Sequence, residues 1–161
     1  MTLLALFAGG IYETVIIGFR TVNAATSRAE LRQQLANALD RLTREASIAH
    51  NVDKAIDQQL QFDADIDGDG NYENNINYVV QSGGLDRVYS GSTVTLVKNV
   101  SALDFDYIDL NGTSNATCDS TSSCGSNCCR SEVRVVDITI TATKNNETIS
   151  LTSAVELRNN S

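Results

Sequence analysis

Proline is absent from the 161 residues, so nothing obliges a helix in this chain to kink or stop. Tryptophan is absent too, and histidine occurs once, at His50, which leaves little of the usual acid–base equipment of catalysis. Cations are scarce: 12 Lys and Arg stand against 20 Asp and Glu, for a net charge of −8. Such a chain cannot neutralise a run of phosphates, and no nucleic-acid partner is expected. No Ser/His/Asp set, nucleophile elbow, P-loop or dinucleotide-binding glycine motif occurs. Asp104 and Asp106 alternate onto one face of a single segment, not across a cleft as a glycosidase requires. These absences argue against an enzyme. The length suits one domain.

Long uninterrupted apolar runs are also missing. The longest candidate is Leu3 to Phe19, LLALFAGGIYETVIIGF, and Glu13 interrupts it. It sits at the short limit for a bilayer, which needs roughly 20 apolar residues, and a carboxylate in hydrocarbon is costly unless it is paired or interfacial. A cleaved secretory signal is a rival reading, with Val22-Asn23-Ala24 as its cleavage site, but no positive charge precedes the run. A third reading places more apolar sequence upstream of Met1.

From Arg20 the pattern becomes two-faced. Leu31, Leu35, Ala38, Leu42, Ala46 and Ala49 recur at steps of three and four and form one apolar stripe. Arg32, Asp40, Arg41 and Arg44 lie off it, and Asp40 can pair with Arg44 at i, i+4. The expectation is a helix over residues 1–52, apolar over 1–19 and amphipathic over 20–52, with His50 meeting the negative end of its dipole. After Asn51 the period changes to two. Strands are expected at Leu60 and Phe62, in INYVVQ and LDRVYS around Ser82-Gly83-Gly84, and over Thr93–Val97. Further strands hold Leu103, Phe105 and Tyr107, then Val136, Ile138, Ile140 and Ala142, and a return strand holds Ile149, Leu151 and Val155. The fold class expected is α+β, with the long N-terminal helix packed on one antiparallel sheet, and residues 53–161 forming the β domain.

The sharpest local motif runs from Asp63 to Glu73, DADIDGDGNYE. Asp63, Asp65, Asp67, Asp69 and Glu73 carry negative charge with no cation among them, and a hard divalent ion removes their mutual repulsion. Calcium takes six to eight oxygens, which alternate residues of a tight loop can aim inward. Asn71 supplies a further oxygen, and Gly68 and Gly70 permit the turns. With Asp65 as first ligand the spacing follows an EF-hand or dockerin loop as far as Glu73. Ile76 then stands where a bidentate Glu is required, and no exiting helix follows. The motif therefore reads as a Ca2+ loop between strands, or else as a solvated acidic turn.

Cys118, Cys124, Cys128 and Cys129 are the only cysteines. Behind an export or membrane segment they read as two disulfides. A bond between the adjacent Cys128 and Cys129 is strained, so each pairs with Cys118 or Cys124. Zinc is the alternative, although the paired C-x2-C spacing and a nearby His are both missing. Asn99, Asn111, Asn115, Asn146 and Asn159 open N-x-[ST] sequons, which here mark surface.

The run from Leu3 to Ser47 resembles the N-terminal helix of type IV pilins and type II secretion pseudopilins. FDADIDGDGNYENNINYVV, KNVSALDFDYIDLNG and VRVVDITITAT with SAVELRNN resemble segments of the minor subunits of the J or W type. The chain departs from the family in showing neither the basic leader nor the Glu of the fifth mature position. The resemblance implies a pilin-like fold and a structural role as a minor, priming or tip subunit of a pilus or pseudopilus. Leu3, Leu4, Leu6, Phe7, Ile11, Val15, Ile16, Ile17 and Phe19 would line the filament core. The partners it implies are other pilin or pseudopilin subunits, and the inner membrane of a bacterial envelope before assembly into a periplasmic or extracellular filament. A major pilin is the alternative within the class. A membrane-tethered or secreted calcium-dependent adhesion module is the alternative from another class.

Overall fold

The computed structural model describes residues 2–109 and 133–157, and in the first stretch of the chain the side chains of Tyr12, Glu13, Val15 to Gly18 and those from Arg20 onward. One helix, α1 (Thr2–Ser47), opens the chain. At 1.5 Å per residue it is about 70 Å long. No proline interrupts it, and its second half is rich in Ala, Leu, Gln and Arg, which lose little freedom in a helix. It ends at Ser47, whose hydroxyl donates to the Arg44 carbonyl (2.8 Å).

Eight strands follow among the described residues. Strands β1 (Ala49–Ile56), β2 (Gln59–Ala64), β3 (Glu73–Gln81), β4 (Gly84–Tyr89) and β5 (Ser92–Lys98) form an antiparallel meander in that spatial order. Strands β6 (Val100–Asp109), β7 (Val133–Lys144) and β8 (Glu147–Glu156) form a second antiparallel sheet. Three hairpins turn on two residues that both have positive φ: Ser82-Gly83, Ser90-Gly91 and Asn145-Asn146. That is the type I′ geometry, whose twist matches the flanking strands.

The chain passes from one sheet to the other at Asn99, in the left-handed region at φ 61°. Single backbone hydrogen bonds tie the sheets: Val100 N to Gly83 O, Phe105 N to Asp57 O and Thr143 N to Asn99 O, each 2.9 Å. Tyr107 Oη adds bonds to the carbonyls of Ile56 (3.1 Å) and Gln59 (3.2 Å). One apolar core runs through both sheets and the helix. Leu31, Leu35 and Leu42 of α1 share it with Phe62, Ile76, Tyr78 and Leu85 of the first sheet and Tyr107, Ile138 and Ile140 of the second, all fully buried.

This arrangement corrects the α+β, pilin-like expectation of a single sheet on a helix. The protein is mostly β, with two separate antiparallel sheets, and neither packs on the helix as a typical pilin sheet does. The main seat of α1 is β8 and β7, with a lesser contact to β5 and β2. Period-two alternation reports which face of a strand is buried but not which sheet it joins, and the chain changes sheet at Asn99. Three smaller corrections follow. The helix stops at Ser47, not near residue 52, because Ala49–Ile56 pairs with β2. His50 therefore lies in β1, not at a helix end, and stacks on Tyr72 with ring centroids 4.1 Å apart. Asp40 and Arg44 form no ion pair among the described residues, whereas Arg41 and Glu45 do (2.9 Å).

Candidate functional site

Two features stand out: the acidic turn between β2 and β3, and the first half of α1. The turn is built by its own carboxylates. Asp65 accepts the N–H groups of Gly68 (2.7 Å) and Gly70 (3.0 Å), one on each oxygen. Asp67 accepts from Asp69 N (3.1 Å), and Glu73 reaches back to Ile66 N (2.7 Å). Gly68 and Gly70 have φ of 78° and 87°, which only glycine adopts without strain. These bonds draw ligand atoms of Asp65, Asp67 and Glu73 to within 4.8 Å of one another. Three carboxylate oxygens so close can hold a hard cation, with further oxygens supplied by backbone or water.

The other expected ligands point elsewhere. Asp63 accepts from Asn75 N (2.8 Å) and lies 3.4 Å from Asn51 Nδ2, on the strand side of the turn. Asp69 accepts both from the Asn71 side chain (2.9 Å) and from its backbone N–H (2.7 Å). Those bonds hold the Asp69 carboxyl below its ordinary range, and they engage Asn71 in the same local turn. The six-residue ligand set thus divides into a convergent triad and three residues that shape the loop around it. Cys118, Cys124, Cys128 and Cys129 lie outside the described residues.

The two halves of α1 have different surroundings. From Ser27 onward the helix is fastened to the β domain. Arg28 pairs with Glu147, Lys144 Nζ with Glu30 (3.1 Å), and Asn145 Nδ2 donates to Ser27 Oγ (3.2 Å), so the β7–β8 turn grips the helix at its neck. Above the neck the apolar stripe is buried. Before it, Tyr12 is 67% exposed, Ile17 63%, Val22 62% and Val15 47%, while Ile16 is half-buried. Leu3, Leu4, Leu6, Phe7, Ile11 and Phe19 belong to this same stretch, but their side chains lie outside the described set. Among the described residues no helix is long and apolar enough to cross a membrane.

One cluster had no place in the sequence reading. Glu45 is buried on the helix stripe, three residues after Leu42 and seven after Ala38. It accepts from Arg87 Nε (2.7 Å), Tyr78 Oη (2.8 Å) and Arg41 Nε (2.9 Å). Burial pushes its carboxyl up, but hydrogen bonds from Arg87, Arg41 and Tyr78 and the charge of Arg87 outweigh it, and the net shift is downward. Tyr78 is raised, by burial and then by the Glu45 charge. This bolt joins the helix to β3 and β4. The available signal was a carboxylate at an apolar position of the stripe, which requires a buried cation elsewhere.

The sequence matches no protein-family model and no curated protein.

Proposed function

We propose that this protein is a structural subunit of a type IV pilus or pseudopilus, of the minor, priming or tip kind, and not an enzyme. The observation that carries the reading is the exposed apolar half of α1. A helix that continues for more than thirty ångströms beyond its own domain, with large apolar side chains bare, requires a surface that covers it. The resemblance of that helix to pilin N-terminal helices supports other pilin or pseudopilin subunits as the cover, and the inner membrane of a bacterial envelope before assembly. The reading rests on the helix and not on the head, whose two sheets depart from the family arrangement. Burial of the apolar half among its neighbours supplies most of the cohesion. In the same reading the acidic turn takes Ca2+ on Asp65, Asp67 and Glu73, which would stiffen the head outside the cell.

Filaments sheared from cells that produce the protein test this reading. The protein is expected in the sheared fraction, and a variant with Ile16 and Ile17 both replaced by Asp is expected in the membrane or the medium instead. Absence of the unaltered protein from every filament fraction would overturn it.

A further inference from the structure

The bolt beneath α1 carries more positive charge than holding the helix requires. Two guanidiniums, of Arg41 and Arg87, meet one carboxylate, that of Glu45, and the fourth member is the Tyr78 phenol. One positive charge is left over, in a chain whose net charge is −8. Asp40 and Arg44, beside the cluster on the helix, are both exposed and opposite in sign.

The donors of the cluster are only partly used. Each arginine reaches Glu45 through Nε alone, Arg41 at 2.9 Å and Arg87 at 2.7 Å, and not through the two-nitrogen fork that a guanidinium makes with a free carboxylate. Both Glu45 oxygens are taken, Oε1 by Arg41 and Oε2 by Arg87 and Tyr78. Tyr78 Oη stands beside Arg87 and can accept one more N–H. That leaves both Nη groups of Arg41, and at least one of Arg87, without an acceptor among the described residues. The Arg87 side chain is only 8% exposed, and its Cζ lies over the Tyr89 ring, 5.4 Å from the centroid. Glu45 and Tyr89 thus fix the direction in which its open edge points. Among the described residues the sealed polar atoms without a partner are Asn51 Oδ1 and Asp86 Oδ1, and neither belongs to a guanidinium. The free Nη groups therefore open to solvent.

We infer that Arg41 and Arg87 form a binding site for a carboxylate, which takes their free Nη groups and brings the cluster to neutrality. Both guanidiniums are pinned to the two oxygens of Glu45, so one small anion can touch the pair. Charge balance selects the class of ligand. A carboxylate cancels the one spare charge, whereas a phosphate dianion overshoots and sets a second negative charge beside Glu45. Guanidiniums match the planar carboxylate through their fork, and the burial of Arg87 strengthens the attraction relative to water. The inference does not depend on the filament reading. The carboxylate comes from a free small acid or from an Asp or Glu of a second copy, of which each chain carries 20.

The test titrates the full chain in detergent at pH 7 with sodium acetate, at ionic strength held constant with sodium chloride, and follows the arginine Nε–H resonances by NMR. Saturable shifts are expected at Arg41 and Arg87 and not at Arg134, whose ion pair with Glu156 is exposed. Arg41→Gln keeps the Arg87–Glu45 pair and weakens acetate binding about tenfold. Arg41→Lys restores the charge without the fork and recovers only part of the loss. Glu45→Gln removes the competing negative charge, so it binds acetate more tightly, and acetate raises its melting temperature where chloride does not. Thermal melting of each variant controls for folding. Shifts that chloride alone reproduces, or that persist unchanged in Arg41→Gln, overturn the site. Sodium phosphate binding more tightly than acetate overturns the assignment to a carboxylate. Sedimentation then separates the two sources, and either result supports the site. Self-association weakened by acetate and by Arg41→Gln places the carboxylate on a second copy. Acetate binding that leaves association unchanged places it on a free acid.

Discussion

The two halves of α1 are one continuous helix, yet they solve different problems. From Leu31 to Ala46 the apolar stripe is covered by the two sheets, and the one carboxylate on it, Glu45, is met by two arginines and a tyrosine of the same chain. From Tyr12 to Val22, Tyr12, Val15, Ile17 and Val22 are exposed, and Glu13 and Arg20 have no ion-pair partner among the described residues. The comparison teaches that a helix face does not declare its occupant. The same helical periodicity serves the fold in one half and leaves large apolar side chains exposed in the other.

Substitutions in each half can sharpen or break this contrast. The largest loss is expected at the bolt. Glu45→Gln leaves Arg87 buried without its counter-ion and lowers unfolding free energy by about 3 to 5 kcal/mol in urea titration. The pH dependence follows from the sign of the shift. The Glu45 carboxyl is depressed in the folded state, so its contribution is fully present above the ordinary carboxylate range. It is lost as pH falls through the folded value. Stability measured from pH 7 down to acid should therefore decline less steeply in Glu45→Gln than in the unaltered protein. Leu35→Ala should cost about 3 kcal/mol, through lost burial and the cavity left behind. An equal cost for Ile17→Ala would erase the contrast between the halves.

The acidic turn comes next. If Asp65, Asp67 and Glu73 hold Ca2+, saturating calcium at a hundred times its dissociation constant adds about 2.7 kcal/mol. Asp67→Asn should reduce that gain, and calorimetry with magnesium as comparison checks it. No change in melting with calcium would reduce the triad to a solvated turn. The neck pairs are the weakest of the stabilising contacts. Arg28→Ala and Lys144→Ala should each cost about 0 to 1 kcal/mol, because both ion pairs are solvent-facing and screened. Ile17→Ala is expected to leave head stability within about 0.5 kcal/mol.

Much of the fold was legible, because burial leaves a period in the sequence. Leu31, Leu35, Ala38, Leu42 and Ala46 are all buried as their spacing requires. The turn at Ser82-Gly83 sits where the two alternating segments meet, and β5, β6, β7 and β8 cover their expected residues. Strand β1 was not legible: AHNVDKAI carries no clean alternation, and its register with β2 shifts twice. The division into two sheets was hidden too, since alternation does not say which strand edges pair. Of the candidate site, the acidic run was visible as a charge pattern, but not its division. Asp63 and Asp69 are as acidic as Asp65, and only the loop geometry turns them toward Asn75 and Asn71. Glu45 stood only as an anomaly on an apolar face, with Tyr78 33 and Arg87 42 residues further along the chain.

The most direct test compares the full chain with a variant beginning at Ala24, each examined for melting temperature and for sedimentation in detergent. If the first half of α1 serves assembly and the second half serves the fold, the shortened protein melts as the full chain does and remains monomeric while the full chain associates. A shortened protein that unfolds, or that associates as readily as the full chain, would contradict that division.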